Sequence, residues 1–76
     1  MEALVRFIVT ALVDHPDQVD IRVTEAQDGT TLELRVAAED MGKVIGKQGR
    51  IAKAIRTVVK AATPRGEKPV FLEIID

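Results

Sequence analysis

The chain has 76 residues, of which 46% are hydrophobic and 30% are charged, and its formal net charge is −1. These values predict one ordinary globular domain over residues 1–76, and the lack of cysteine excludes a disulfide framework or a thiolate metal site. No apolar run reaches the roughly 18–20 residues of a membrane span and the N-terminus has no signal-peptide pattern, so we expect a cytoplasmic protein that does not enter membranes.

The first half of the chain predicts a helix and a hairpin. Residues 2–13 (EALVRFIVTALV) indicate a helix, because polar residues recur every four positions among apolar ones, and Pro16 ends it. Residues 19–26 and 30–37 alternate between apolar and polar, which is typical of strands with one buried face. The turn between them contains Gly29, which favours an antiparallel hairpin. The side chains expected to face the core are Val19, Ile21, Val23, Leu32, Leu34 and Val36.

In the second half of the chain, the apolar residues recur at the spacing of a helix. Residues 41–45 fit one short helical turn, capped by Glu39 or Asp40, and this turn must stop at Gly46. A second helix is predicted from about Arg50 to Ala62, with an apolar arc on one side and a basic arc on another.

A final strand is predicted over residues 70–75, after a loop at 63–69. The fold class is therefore α+β, a three-stranded sheet with helices packed on one face, in the order α-β-β-α-α-β. The hairpin is antiparallel, and we favour a mixed sheet without fixing the direction of the last strand. Phe7 and Phe71, the two aromatic residues, are predicted to lie in the core.

Charge is distributed unevenly along the chain. Residues 41–68 hold eight basic residues and one acid, a net charge of +7, whereas the other forty-eight residues hold three basic residues and eleven acids, a net charge of −8. This separation predicts one positive surface that attracts a polyanion.

The segment Gly46-Lys47-Gln48-Gly49 is the strongest candidate for that surface. A short turn with glycine at each end exposes backbone N–H groups at the start of the second helix, where partial positive charge attracts phosphate. Glycine has no Cβ, so a sugar–phosphate backbone can approach the peptide closely. Lys43, Arg50 and Lys53 flank the turn. Together these features predict a clamp on a phosphate backbone.

Two purely structural interpretations, which need no ligand, stay open beside this one. The glycines can serve only as a helix–turn–helix connection with a C-cap at Gly46, and the basic arc can be a solvated face. A nucleotide-binding P-loop is excluded, because three residues instead of four separate Gly42 from Gly46, and Gln48 stands where Ser or Thr should bind Mg²⁺.

The stretch VIGKQGRIAKAIRTVVKAA resembles the centre of a KH domain, in which an Ile-Gly-x-x-Gly loop joins two helices. Two strands precede the motif and one follows it, which resembles the type II order, and the resemblance covers nearly the whole chain. In length the chain is most similar to the small bacterial KhpA proteins, which consist of a single KH domain.

The resemblance implies a groove for single-stranded RNA. One lip would be the Gly-x-x-Gly loop with the residues beside it, and the other a sheet edge with the variable loop, expected around Ala26–Thr30. Bases would lie against aliphatic side chains, since the chain has only two aromatic residues. The residues expected to contact RNA are Lys43, Val44, Ile45, Gly46, Lys47, Gln48, Gly49, Arg50 and Lys53.

No other set of residues in the sequence indicates a catalytic or metal-binding site. His15 is the lone histidine and is read as a turn residue, and the chain has no serine or cysteine, so we expect neither an enzyme nor a cofactor or metal. The alternative function is a protein-interaction module that acts through the broad apolar face of the first helix. The resemblance implies pairing with a second copy or with a larger KH-containing protein. A post-transcriptional regulator and an RNA chaperone are the roles that it favours.

Overall fold

The computed structural model describes residues 1–75, and at Lys47 it describes the backbone only. The chain follows the predicted order of helices and strands, with short 3₁₀ turns before β1, before α2 and between α2 and α3. The main elements are α1 (Glu2–Leu12), β1 (Asp20–Ala26), β2 (Gly29–Arg35), α2 (Met41–Ile45), α3 (Arg50–Ala62) and β3 (Val70–Ile75). The predicted α-β-β-α-α-β order is confirmed.

The three strands form one mixed sheet with β2 in the centre. β1 pairs with β2 in antiparallel register, which places Ile21 beside Leu34. β3 pairs with the other edge of β2 in parallel register, which places Leu72 beside Leu32 and Ile74 beside Leu34. A parallel partner requires a crossover connection, and α2 and α3 provide it.

The core lies between the inner face of this sheet and the three helices. Each element contributes side chains at its own period, every second residue in the strands and every third or fourth in the helices. The central buried side chains are Val5, Val9, Leu32, Leu34, Val44, Ile55, Val59 and Leu72. None of the described helices is both long and apolar enough to cross a bilayer.

Three apolar side chains that were predicted to be buried are exposed. Val23 is 43% exposed on the edge strand β1, even though its partner in register is the buried Leu32. Phe71 is 49% exposed because strand alternation turns it away from the face that carries Leu72. Phe7 is 72% exposed, since α1 carries more apolar surface than one face of a three-stranded sheet can cover.

Asp40 has a different role from the predicted helix cap. Its side chain makes no capping bond to α2; it is buried, and its two carboxylate oxygens accept hydrogen bonds from the backbone N–H groups of Asp14 (3.1 Å) and His15 (3.0 Å). His15 also contacts Glu39, with 3.1 Å between Nε2 and Oε2. The segment that follows α1 is therefore fastened to the residues that begin α2.

The Asp40 hydrogen bonds predict a test of stability. Asp40→Asn should lower the free energy of unfolding by about 2–3 kcal/mol, because a carboxamide supplies one acceptor oxygen where two backbone donors need one each. Urea denaturation measures the change. Glu25→Gln on the exposed face of β1 removes the same charge and should change stability by less than about 0.5 kcal/mol. Equal effects of the two substitutions would show that net charge, and not the buried carboxylate, is responsible.

Candidate functional site

The turn between α2 and α3 has a backbone shape that only glycine adopts easily. Gly46 has φ 60° and ψ 170°, and Gly49 has φ 81° and ψ 9°. Gln48, with φ 57° and ψ 33°, is the one non-glycine residue with positive φ among those described. The Gly49 N–H donates to the Gly46 carbonyl oxygen at 2.7 Å, which closes the turn. The sequence-based prediction of a tight glycine turn at these positions is confirmed.

The two glycines are needed for different reasons. A Cβ on Gly46 would lie 2.4 Å from Cδ1 and Cγ1 of Ile51, a side chain that packs against the core. A Cβ on Gly49 would meet nothing within 4 Å. Gly46 therefore lets the turn lie directly against Ile51, whereas the space beside Gly49 is open to a ligand backbone.

The N-terminus of α3 offers an uncompensated positive end. Gly49 is its N-cap residue, no side chain caps it, and no acid lies in its first turn. Arg50 and Lys53 are exposed beside it, as is Gln48 in the turn. Backbone donors, the helix dipole and two basic side chains together favour an anion such as phosphate.

Two of the predicted contact residues have other partners in the fold. Lys43 donates a hydrogen bond to the Asp14 carboxylate, and this contact lowers the pKa of Asp14 and raises the pKa of Lys43. Val44 has no exposed surface and belongs to the core, so in this structure its side chain is not accessible to a ligand. Ile45, by contrast, is 41% exposed beside the turn.

The structure thus brings most of the predicted site residues to one surface. Those that remain available there are Ile45, Gly46, Gln48, Gly49, Arg50 and Lys53. The prediction for the Lys47 side chain lies outside the part of the chain that the structure describes.

A groove of about 540 Å³ lies between the C-terminal half of α3 and β3. Its lining is mainly apolar and includes the exposed Phe71 together with Val70, with Val59 and Leu72 buried beneath them. The charged residues at its side are Arg56, Lys60 and Glu67. The sequence placed Arg56 and Lys60 on a basic helical arc, but it gave no sign that β3 lies beside that arc.

This groove is not the one expected from the sequence. It is lined by β3 and the preceding loop, including Thr63 and Pro69, and by neither the Gly46–Gly49 turn nor the Ala26–Thr30 turn. The Ala26–Thr30 turn supports the loop before β3, since Thr30 N–H donates to the Pro69 carbonyl oxygen at 2.9 Å and Lys68 Nζ donates to the Ala26 carbonyl oxygen at 3.1 Å.

The basic side chains of α3 are not paired with acidic side chains among the described residues. The salt bridges found within residues 1–75 involve Arg6, His15 and Lys43, so α3 contributes to none of them. In the same residues no group of three His, Cys, Asp or Glu side chains could hold a metal ion. The first turn of α3 therefore presents positive charge, with no acid in it to repel an anion.

Comparisons with known proteins point to one family. The family model for the KhpA/KhpB KH domain matches residues 2–74. The chain is 56% identical over 75 residues to "RNA-binding protein KhpA" of Caldanaerobacter subterraneus subsp. tengcongensis, covering 99% of this chain and 100% of the relative. Proteins of the same name from Halalkalibacterium halodurans and Listeria monocytogenes serovar 1/2a are 58% and 54% identical over 78 and 76 residues, covering 100% of both chains. No solved structure matched.

The three glycines predict a graded series of alanine substitutions. Gly49→Ala should destabilise the fold by about 1–2 kcal/mol through its left-handed backbone alone. Gly46→Ala should cost roughly 1–3 kcal/mol more, since Ile51 must also move away from the new methyl group. Gly42→Ala is the matched control: its site is helical and open, so it should be neutral or stabilising by about 0.5–1 kcal/mol. Thermal unfolding ranks the three, and a different order would contradict the assigned backbone constraints.

Proposed function

The chain belongs to the KhpA/KhpB KH-domain family, and on that basis we propose that it binds single-stranded RNA through the Gly46–Gly49 turn and the N-terminus of α3. The observation that carries the proposal is the open space beside Gly49 at a helix start with no side-chain cap. The relatives are named as RNA-binding proteins, which agrees with the expectation that the chain is not an enzyme.

In the proposed complex, the Gly46–Gly49 turn binds the phosphate groups of the RNA. Backbone N–H groups at the start of α3 donate to phosphate oxygens, and the exposed amide of Gln48 adds a further donor. Arg50 and Lys53 supply positive charge, whereas Lys43 supplies less because Asp14 already neutralises it. The Lys47 side chain is proposed as a phosphate contact from its position in the motif.

The bases of the RNA would lie along α3 and β3. Ile45 is exposed next to the turn, and the groove between α3 and β3 offers an apolar surface, which includes the exposed Phe71, on which bases can lie. Bases reach such a groove only when they are unpaired, because a duplex keeps their faces stacked and their edges paired. The site therefore favours single strands over duplexes.

The cellular role follows from what such a site can do. One small domain makes few contacts, so binding is weak and reversible, and two linked copies would bind more tightly by avidity. Weak, backbone-directed binding of unpaired RNA suits a cytoplasmic post-transcriptional regulator or an RNA chaperone, which is the role that we propose.

A second candidate function is self-association, or pairing with a larger KH-containing protein, through α1. The outward face of α1 carries Ala3, Phe7 and Ala11 at four-residue spacing, and all three are exposed. The charged residues of the helix, Glu2 and Arg6, pair with each other at 3.2 Å on a different side. An uncharged face with a largely exposed phenylalanine favours burial against a partner. This face does not overlap the proposed RNA site.

Salt dependence tests the RNA-binding proposal. A labelled single-stranded RNA titrated at several salt concentrations should give a slope of log K against log salt of roughly −2 to −3, as expected for three or four neutralised phosphates. The variant Lys47→Asp, Gln48→Asp should lose most binding while it keeps its fold by circular dichroism, because it places two acids at the phosphate position.

The matched control for that variant is Arg22→Asp, Gln27→Asp. Both positions are exposed on β1 and the hairpin turn, and the two changes lower the net charge by the same three units. This control should retain most of the affinity of the wild type. Equal losses in both variants would assign binding to overall charge, and a wild type that binds at no salt concentration would refute the proposal.

Phe7→Gln tests the α1 interface. If α1 pairs two copies, the substitution should raise the dissociation constant of self-association by about tenfold or more, because a buried phenylalanine is replaced by an amide. Sedimentation velocity over a concentration series measures the effect, with Val23→Thr as a control that removes another exposed apolar side chain away from α1. A wild type that stays monomeric, or equal association of both variants, would assign no self-association to α1.

A further inference from the structure

Arg56 is fixed by one hydrogen bond at the side of the groove. Its Nε–H donates to the Leu72 carbonyl oxygen at 3.2 Å, which ties the middle of α3 to the edge strand β3. This bond occupies one of the five N–H donors of a guanidinium group and restrains the orientation of its plane. The donors of the two Nη nitrogens remain for a ligand.

No salt bridge among the described residues takes up these remaining donors, and the Arg56 side chain is exposed. Glu67 lines the same groove but forms no salt bridge with Arg56. Arginine restrained in this way is unlike a free surface lysine, because its planar fork is already oriented for a ligand with two adjacent acceptors. Such a group selects its ligand by shape as well as by charge.

The surroundings of Arg56 favour a base over a phosphate. The adjacent groove is lined mainly by apolar side chains, among them Val70 and the exposed Phe71, and burial of a phosphate against such a surface would be costly. The face of a base, in contrast, gains from contact with apolar side chains. Arg56 lies six residues from Arg50, about 9 Å along the helix axis, so it lies away from the proposed phosphate position at the turn.

We propose that Arg56 is a base-reading residue that selects guanine in the groove between α3 and β3. Guanine presents O6 and N7 as two adjacent acceptors, and the two Nη nitrogens of an arginine can donate to both at once. Adenine has a donor in place of one of these acceptors, and the pyrimidines lack the pair. The inference deepens the proposed function and rests on it, because it assumes that RNA occupies the groove.

The test compares oligonucleotides that differ at one base. An eight-nucleotide uridine RNA, with one uridine replaced by guanine, adenine or 7-deazaguanine at each successive position, is titrated by fluorescence anisotropy at fixed salt. Wild type should bind guanine at the best position about tenfold more tightly than adenine. 7-Deazaguanine lacks the N7 acceptor and should lose most of this preference.

Arg56→Lys separates base reading from charge. Lysine keeps the positive charge but cannot form the planar fork, so the preference for guanine over adenine should fall to about twofold, and any remaining loss of affinity should be equal for all the RNAs. Circular dichroism checks that the variant is folded. In this variant guanine and 7-deazaguanine should bind equally, which completes a double-substitution cycle between the arginine and N7.

Lys53→Gln is the matched control on the same helix. It should weaken binding to every RNA by a similar factor and reduce the magnitude of the salt slope by about 0.7, as expected for loss of one phosphate contact. Arg56→Gln, in contrast, should remove the guanine preference and leave the salt slope unchanged. A slope reduced by 0.7 in Arg56→Gln, with equal losses for all bases, would assign Arg56 to phosphate and overturn the inference.

The two proposals fail in distinguishable ways. If wild type binds the uridine RNA with the expected salt slope but shows no preference for guanine, base reading by Arg56 is refuted and RNA binding through the turn stands. If guanine is preferred and Arg56→Lys keeps the full preference, another residue reads the base and the inference is equally refuted. If wild type binds none of the RNAs, the proposed function itself fails.

Discussion

The backbone of Gly46 is the constraint on which the site depends. Its φ of 60° and ψ of 170° lie in a region that is essentially restricted to glycine, and they turn the chain sharply between α2 and α3. Because no Cβ intervenes, Ile51 packs directly against this turn, and the first turn of α3 is fixed relative to the core. The backbone N–H groups at the start of α3 are therefore held in a single orientation.

A helix as short as α2 cannot hold that turn by its own stability. Five residues are too few to form a stable helix in isolation, so α2 depends on what lies at its two ends. Asp40 fastens its start to the segment after α1 through two hydrogen bonds, and the buried Val44 anchors its end in the core. The rigidity of the proposed RNA clamp therefore originates in residues that never touch RNA. Pre-ordering of this kind reduces the entropy lost on binding, which matters for a domain that makes few contacts.

The sequence predicted what depends on local pattern and missed what depends on distant partners. Strand alternation and helical period gave the order of elements, and the spacing of Gly46 and Gly49 gave the turn, because these signals lie within a few residues of one another. The bonds from Asp40 to the segment after α1, and from Arg56 to Leu72, join residues 16 to 26 positions apart. The bond from Arg56 to Leu72 requires a parallel strand and its crossover, and the bonds from Asp40 require the packing of α1 against α2, none of which a local pattern contains. Phe7 was misplaced for a related reason, since its exposure is set by how much surface the sheet can cover.

The geometry of α3 explains how one helix can take part in both of the proposed RNA contacts, the one with phosphate and the one with bases. Its buried side, which includes Ile55 and Val59, fixes the rotation of the helix about its axis. That rotation places Lys53, Arg56 and Lys60, spaced by three and four residues, along a neighbouring flank, and the hydrogen bond from Arg56 to Leu72 shows that this flank meets β3. The N-terminus of the same helix carries the partial positive charge that attracts phosphate. In the proposed binding mode a single helix therefore sets both the phosphate contact and the base contact. A substitution that rotates α3 would disturb both, whereas a substitution of Arg56 on its exposed flank would change the contacts with bases.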